Sequence, residues 1–259
     1  MNLHFAIPAW AACGPGLSTP AAWRAWASAP AVPVGEVQAP LGAVPPMVRR
    51  RLDALGRVAL QAAFDVAPSA RVPAPANADA VTPAAEIPAV FASRYGDAAR
   101  GLDLLADLVR GDALSPTSFG LSVHNAIAAM YGIVRGDRSN QLAVAAGPDS
   151  APAALVEPPG LLADGAPEVL VVYCEAPLPA DYAPFEDGPS ALHAWAWRVT
   201  APVPGQPRFA LSLDDGPAPA PADVPLPAGL DLLRVVASDA PVAARGRGPL
   251  SWTWRRHDA

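Results

Sequence analysis

The chain has 259 residues, 33 of them Pro and 20 Gly, with 52% hydrophobic and 16% charged residues. That length suits one large domain, or one domain with an appendage, and is ample for a core without disulfide or metal staples. The net charge of −6, with 18 basic residues that are all Arg, argues against a nucleic-acid scaffold, whose affinity comes from neutralising phosphates. No apolar run reaches the roughly 18 residues of a membrane-spanning helix.

Taken in chain order, residues 3–10 alternate loosely before Gly14-Pro15-Gly16 and read as a first strand. Thr19-Pro20 opens a short helix over 21–27. Residues 28–46 are a Pro-rich loop. Over 47–66, Val48, Leu52, Leu55, Val58, Ala59 and Ala62 recur at spacings of three and four, which predicts one helix. A Pro/Ala-rich stretch, 67–85, follows. Residues 87–93 form a short apolar strand of the kind covered on both faces. A helix is expected over 97–110, with Leu102, Leu105, Ala106 and Val109 as its buried stripe and Gly111 as its stop.

Residues 122–134 read as a mostly apolar helix capped by Ser122, 142–146 as a buried strand, and Gly147 to Ser150 as a turn. A helix over 151–164 should break at Pro158-Pro159. Residues 169–173 (VLVVY) are the strongest strand. Apolar strands alternating with helices predict a layered α/β domain with a covered sheet. Beyond residue 183 the texture changes to short strand candidates at 192–200, 208–213, 232–237 and 250–256, with a Pro-rich linker over 216–228.

Obvious chemistry is sparse. Cys13 and Cys174 are far apart, without a C-x-x-C, and read as free thiols. The first Arg is Arg24, and Pro8 and Pro15 interrupt the first apolar stretch, so no secretory signal is read and a cytoplasmic location is expected. The four His (His4, His124, His193 and His257) have no metal-site spacing, and no metal or cofactor is expected. A chain without Lys cannot hold a Lys-containing phosphate loop. Gly120-Leu121-Ser122-Val123-His124 echoes a nucleophile elbow, but His124 stands where the second Gly is needed. A Ser122 or Ser150 nucleophile, giving an acyltransferase or hydrolase, is the enzymatic alternative.

The order of features from Ser115 to Tyr173 resembles the N-terminal half of a beta-ketoacyl synthase. Ser115-Pro116 is followed by Asn125 ten residues after the Ser, then by Tyr131-Gly132 and Arg135-Gly136. The strand and turn over 142–147 occupy the place where that family ends in Thr-Ala-Cys. Residues 7–17, 45–52 (PPMVRRRL), 91–97 (FASRYGD), 121–126 (LSVHNA) and 175–179 are similar to a sub-family, the chain length factors of aryl polyene clusters. This resemblance covers about residues 3–185.

It implies a thiolase-like half-fold over 1–185, a layered α/β unit with a helix-covered mixed sheet, plus a short β-rich, Pro-rich extension over 186–259. It also implies a lost nucleophile, with Gly147 at the Cys position. The expected role is then a non-catalytic partner subunit that pairs with an active beta-ketoacyl synthase and meets acyl carrier protein through that complex. Ser118, Phe119, Val123, His124, Asn125, Ile127 and Met130 are the residues the resemblance puts at the interface and acyl tunnel.

Overall fold

The computed structural model describes residues 1–67, 87–216, 225–238, 242–247 and 250–257. Its strands are β1 (Asn2–Cys13), β2 (Ala89–Ala92), β3 (Gln141–Val144), β4 (Val169–Glu175), β5 (His193–Thr200), β6 (Arg208–Asp215), β7 (Val242–Arg247) and β8 (Leu250–His257). They form an eight-stranded sheet in the order β3-β2-β4-β5-β1-β6-β8-β7. β2 runs parallel to β3 and β4, and the remaining neighbours pair antiparallel. The sheet runs across the boundary expected at 185/186: β5, β6, β7 and β8 all come from beyond it, and β1 is hydrogen-bonded between β5 and β6.

The helices are α1 (Pro20–Ser28), α2 (Pro46–Arg49), α3 (Ala54–Val66), α4 (Ala98–Arg110), α5 (Pro116–Ser122), α6 (Ala126–Arg135), α7 (Ser150–Ala154), α8 (Glu157–Ala163) and α9 (Leu230–Ala237). Two cores lie on opposite faces of the sheet. On one, Val90, Val171, Tyr173, Trp195, Trp197 and Val199 meet α1, α7, α8 and α9. On the other, Ala89, Phe91, Val172, Cys174, Ala194 and Ala196 meet α3 and α6. The strand period of two explains the division: along β5 the Trp residues point one way and the Ala residues the other.

The aromatic face forms a continuous row. Trp195 stacks on Trp197 with centroids 3.8 Å apart, Tyr173 lies 5.5 Å from Trp195, and Trp254 lies 5.8 Å from Trp197 and 5.4 Å from Phe209. This row joins β4, β5, β6 and β8, so the C-terminal strands share the core of the others. The opposite face is lined with alanines, and Ala59, Ala62 and Ala63 of α3 are fully buried over it. Small side chains on both surfaces let α3 approach the sheet closely.

Several boundaries differ from the sequence reading. The helix expected over 47–66 divides, because Asp53 accepts from the Gly56 N–H at 2.7 Å and starts α3 afresh, while the Arg57 guanidinium donates to the Arg49 carbonyl that ends α2. The helix expected over 122–134 starts later, as α6 from Ala126, with Asn125 at its N-cap position and no side-chain capping bond. Ser122 does not cap it but ends the preceding α5, which Ser115 caps, and the Ser122 hydroxyl donates to the Phe119 carbonyl. The helix expected over 151–164 does break, into α7 and α8, two or three residues before Pro158-Pro159, which lie in the first turn of α8, where their missing N–H is not needed. β3 is a half-exposed edge strand, not a buried one. Residues 232–237 belong to helix α9, whose Leu230, Leu232, Leu233, Val235, Val236 and Ala237 are all buried. β7 was not expected. The Pro-rich stretch 67–85, apart from residue 67, and residues 217–224 of the linker lie outside the described residues.

The turn that launches α9 is pinned to the aromatic row. Trp195 Nε1 donates to the Gly229 carbonyl at 3.1 Å, and His193 Nε2 lies 3.1 Å from the Ala228 carbonyl. Gly229 has φ +83°, and a Cβ there would stand 2.6 Å from the Tyr173 ring. Gly229→Ala therefore combines left-handed strain with a clash in a packed core, and is expected to cost about 2–4 kcal/mol, read as a lower denaturation midpoint. A variant as stable as the wild type would show that this turn is not held against Tyr173.

Candidate functional site

The candidate residues gather where α4, α5 and α6 meet the ends of β2, β3 and β4. Asp97 caps α4 by accepting from the Arg100 N–H, and Gly111 ends it at φ +75°. Ser115 and Pro116 start α5, which ends when Val123 turns extended at φ −72°, ψ 149°. The break at Val123–Asn125 aims His124 at the sheet, with Nε2 3.3 Å from the Val144 carbonyl of β3.

Of the stripe expected to bury α4, Leu102 and Ala106 are half-buried while Leu105 and Val109 face outward. Only Leu104 is buried on this helix. Leu105 is 53% exposed, Leu108 59% and Val109 87%, and α4 leans mainly on α5 rather than on the sheet. Leu114 at 42%, Phe119 at 63% and Val123 at 45% extend the open apolar surface along the chain. Monomeric soluble proteins rarely leave such runs uncovered, and they mark interaction sites. Leu108 and Leu114 had no place in the sequence reading; the amphipathic spacing of α4 was visible there, but not which face would remain open.

The seven residues singled out by resemblance divide by environment. Phe119 and Asn125 are exposed, and Asn125 precedes α6 without a side-chain capping bond. Ser118 lines a groove of about 330 Å³ with Asp53, Asp97 and Arg100. Val123, His124, Ile127 and Met130 share a cavity of about 30 Å³ with Phe91 and Cys174. That volume holds about one water and no acyl chain. Ile127 and Met130 also pack against the α3-side core.

Two carboxylates that cap neighbouring helices sit beside this cavity. Asp97 Oδ2 accepts from Arg100 Nε at 2.6 Å. Burial, followed by the nearby Asp97 carboxyl, pushes Asp53 up to about 6, against the pull of the Gly56 N–H. Burial likewise lifts the Cys174 thiol well above its usual range, so it is a poor nucleophile at neutral pH.

Gly147 occupies the turn between β3 and α7 with φ +57°, and no atom lies within 4 Å of where its Cβ would be. Ser150 organises that turn: its buried hydroxyl donates to the Gly147 carbonyl at 2.7 Å and accepts from the Ala146 N–H at 2.9 Å. Both candidate serine nucleophiles are thus engaged with backbone, Ser150 here and Ser122 within α5. At the end of β4, beyond this turn, Glu175 is 4% exposed and accepts from the Arg94 N–H and the Tyr173 hydroxyl. Its other oxygen has no hydrogen-bond partner. Among the described residues no group of three or more His, Cys, Asp and Glu could hold a metal ion, and no helix is long and apolar enough to cross a membrane.

Residues 23–255 match a family model described as beta-ketoacyl synthase, N-terminal domain. None of the curated proteins compared matches the sequence. Among solved structures, the chain is similar to one of a ketosynthase (ApeO) in complex with its chain length factor (ApeC) from Xenorhabdus doucetiae. The TM-score is 0.80 at 24% identity, covering 98% of this chain and 100% of the matched one. It is also similar to the ishigamide ketosynthase/chain length factor, with TM-score 0.61 and 19% identity over 82% of this chain and 68% of that one. A third likeness is to AntDE:AntF, a type II polyketide synthase acyl-carrier protein in complex with its ketosynthase bound to the hexaketide. There the TM-score is 0.58 at 9% identity, over 76% and 62% of the two chains. At these identities the likeness establishes the thiolase-like ketosynthase fold.

Glu175 offers a direct probe of this region. Burial raises its carboxyl from 4.5 to about 7. A carboxyl that binds its proton more tightly folded than unfolded favours folding at low pH, and that stabilisation is lost as pH rises from about 4.5 to about 7. Glu175→Gln keeps an acceptor for Arg94 and Tyr173 but carries no charge. It is expected to exceed the wild type in stability above pH 7 by on the order of 1–3 kcal/mol and to lack the decline, as measured by urea denaturation across pH. Parallel pH profiles for the two proteins would show that Glu175 does not titrate in this way.

Proposed function

Because this chain belongs to the beta-ketoacyl synthase N-terminal-domain family, we propose that it is a non-catalytic subunit of the chain-length-factor type. It pairs with an active beta-ketoacyl synthase and shapes that enzyme's acyl tunnel, in aryl polyene or fatty-acid-like biosynthesis. The observation that carries this reading is the uncovered apolar surface of α4 and α5. Burying a large aliphatic or aromatic side chain is worth roughly 1.5–3 kcal/mol, so Leu105, Leu108, Val109, Leu114, Phe119 and Val123 together offer on the order of 10 kcal/mol to a partner, before the entropic cost of association.

The chemistry of the turn supports a companion role. Condensation needs a thiolate to accept the acyl chain. Gly147 has no side chain at the position that the family resemblance assigns to this thiolate, and Cys174 is buried with a raised pKa. The alternative, an acyltransferase or hydrolase using a serine, is not favoured, because the Ser122 and Ser150 hydroxyls are committed to backbone partners. Acyl carrier protein would then deliver its chains to the partner's active site. The similar structures pair a ketosynthase with a chain length factor, or with a carrier protein, which accords with such an assembly.

In this reading Phe119 and Val123 reach across the interface and close the end of the partner's tunnel. An overlong chain then meets side chains that must be overpacked, at about 1–3 kcal/mol, which biases product length by roughly 10- to 100-fold.

Co-expression with the cognate ketosynthase, with a tag on one subunit, tests the interface. The double variant Leu108→Asp, Val109→Asp alters exposed positions and should leave this chain folded while abolishing co-purification. Full recovery of the complex would remove α4 from the interface. In the reconstituted pair, Phe119→Ala is expected to shift the product distribution toward longer chains, read by mass spectrometry. An unchanged distribution would take Phe119 out of the tunnel.

A further inference from the structure

Strand β1 changes partners along its length. Asn2 to Phe5 pair with β6, whereas Ala9 to Cys13 pair with β5, and the β5 register shifts between Ala6 and Ala9. Pro8 sits within that irregularity, where it has no N–H to give to a ladder. The ladder with β6 stops at Phe5 and Phe209. Where β1 and β6 part, the sides of α1 and the end of α9 leave a groove of about 450 Å³, lined among others by Ile7, Trp10, Arg24, Phe209, Val236 and Arg256. This lies within the roughly 300–1,000 Å³ typical of small-molecule sites.

We infer that this groove binds an organic anion with an apolar tail, a carboxylate on an aliphatic chain. Phe209 and Val236 are buried and form an apolar floor, and Ile7 and Trp10 are partly exposed beside them. The Arg24 guanidinium stands over the Trp10 ring at 5.5 Å. A guanidinium resting on an indole is pre-organised and weakly hydrated, which suits it to a carboxylate. Among the described residues no carboxylate pairs with Arg24, and none lines the groove. Arg256, which donates to the Ser238 carbonyl, lines the same groove. A bare inorganic anion would leave the apolar floor wet, and a neutral hydrocarbon would leave Arg24 unmatched.

The groove shares no lining residue with α4, α5, α6 or the Gly147 turn, so this inference does not rest on the partner-subunit reading.

Calorimetric titration of the full chain with sodium decanoate, below its micelle concentration, tests the inference. Saturable binding is expected. Arg24→Gln, at an exposed position that leaves the core intact, should weaken binding by roughly 10-fold or more through loss of the charge-assisted hydrogen bonds. Ile7→Glu should weaken it similarly by placing a negative charge beside the tail. Acetate, which lacks the tail, and decyltrimethylammonium, which reverses the head charge, should not saturate. The inference is overturned if decanoate fails to saturate, if Arg24→Gln binds it as the wild type does, or if decyltrimethylammonium binds equally well. Circular dichroism of each variant confirms that a loss of binding is not a loss of fold.

Discussion

The stacking of Trp195 on Trp197 imposes a sidedness that the rest of the molecule obeys. Both rings leave β5 on the same face, at a centroid separation of 3.8 Å, so the alternate positions Ala194 and Ala196 face the other way. One face of the central sheet is therefore thick and aromatic, and the other thin and small. The thick face recruits Tyr173, Phe209 and Trp254 from three further strands and anchors the turn before α9. The thin face admits α3 at close range. Since β5 sits between β4 and β1, this one strand couples the parallel part of the sheet to the antiparallel strands that follow residue 186.

With both faces covered, the apolar residues left over acquire meaning. β5 spends its large side chains inside the molecule, whereas α4 keeps Leu105, Leu108 and Val109 outside. The contrast is physical rather than compositional. Both elements carry large apolar side chains, Trp on β5 and Leu and Val on α4, but most of those on α4 do not meet a surface of their own chain. That asymmetry gives the partner-subunit reading its force. The Gly147 turn adds to it, because Ser150 ties the backbone of the loop together without offering a free nucleophile.

Much of the layered α/β order was legible in the residues. The VLVVY run, the Thr19-Pro20 helix start and the Gly111 stop all express local physics: β-branched packing, a fixed proline φ, and a glycine in the left-handed region. The failures share a cause. The apolar spacing of 47–66 runs unbroken through the residues where Asp53 caps a new helix, because a cap is a hydrogen bond and leaves no trace in periodicity. LLRVVA suits a strand as well as a helix, and it became a helix because the sheet positions nearby are taken by β6, β8 and β7 while the aromatic row needs a cover. The seven site candidates came from a family pattern, and that pattern carried no information on which of them would face inward.

The sequence by itself determined the alternation of elements, the two-sided character of the strands and the lack of a side chain at Gly147, since each depends on neighbours within a few residues. Only the tertiary structure decided that the C-terminal strands complete the sheet, that Glu175 is buried with one oxygen unpartnered, and that the apolar face of α4 stays open. These depend on contacts between residues tens to hundreds of positions apart, and it is the packing of distant segments that sets which surfaces are covered and which remain to be met.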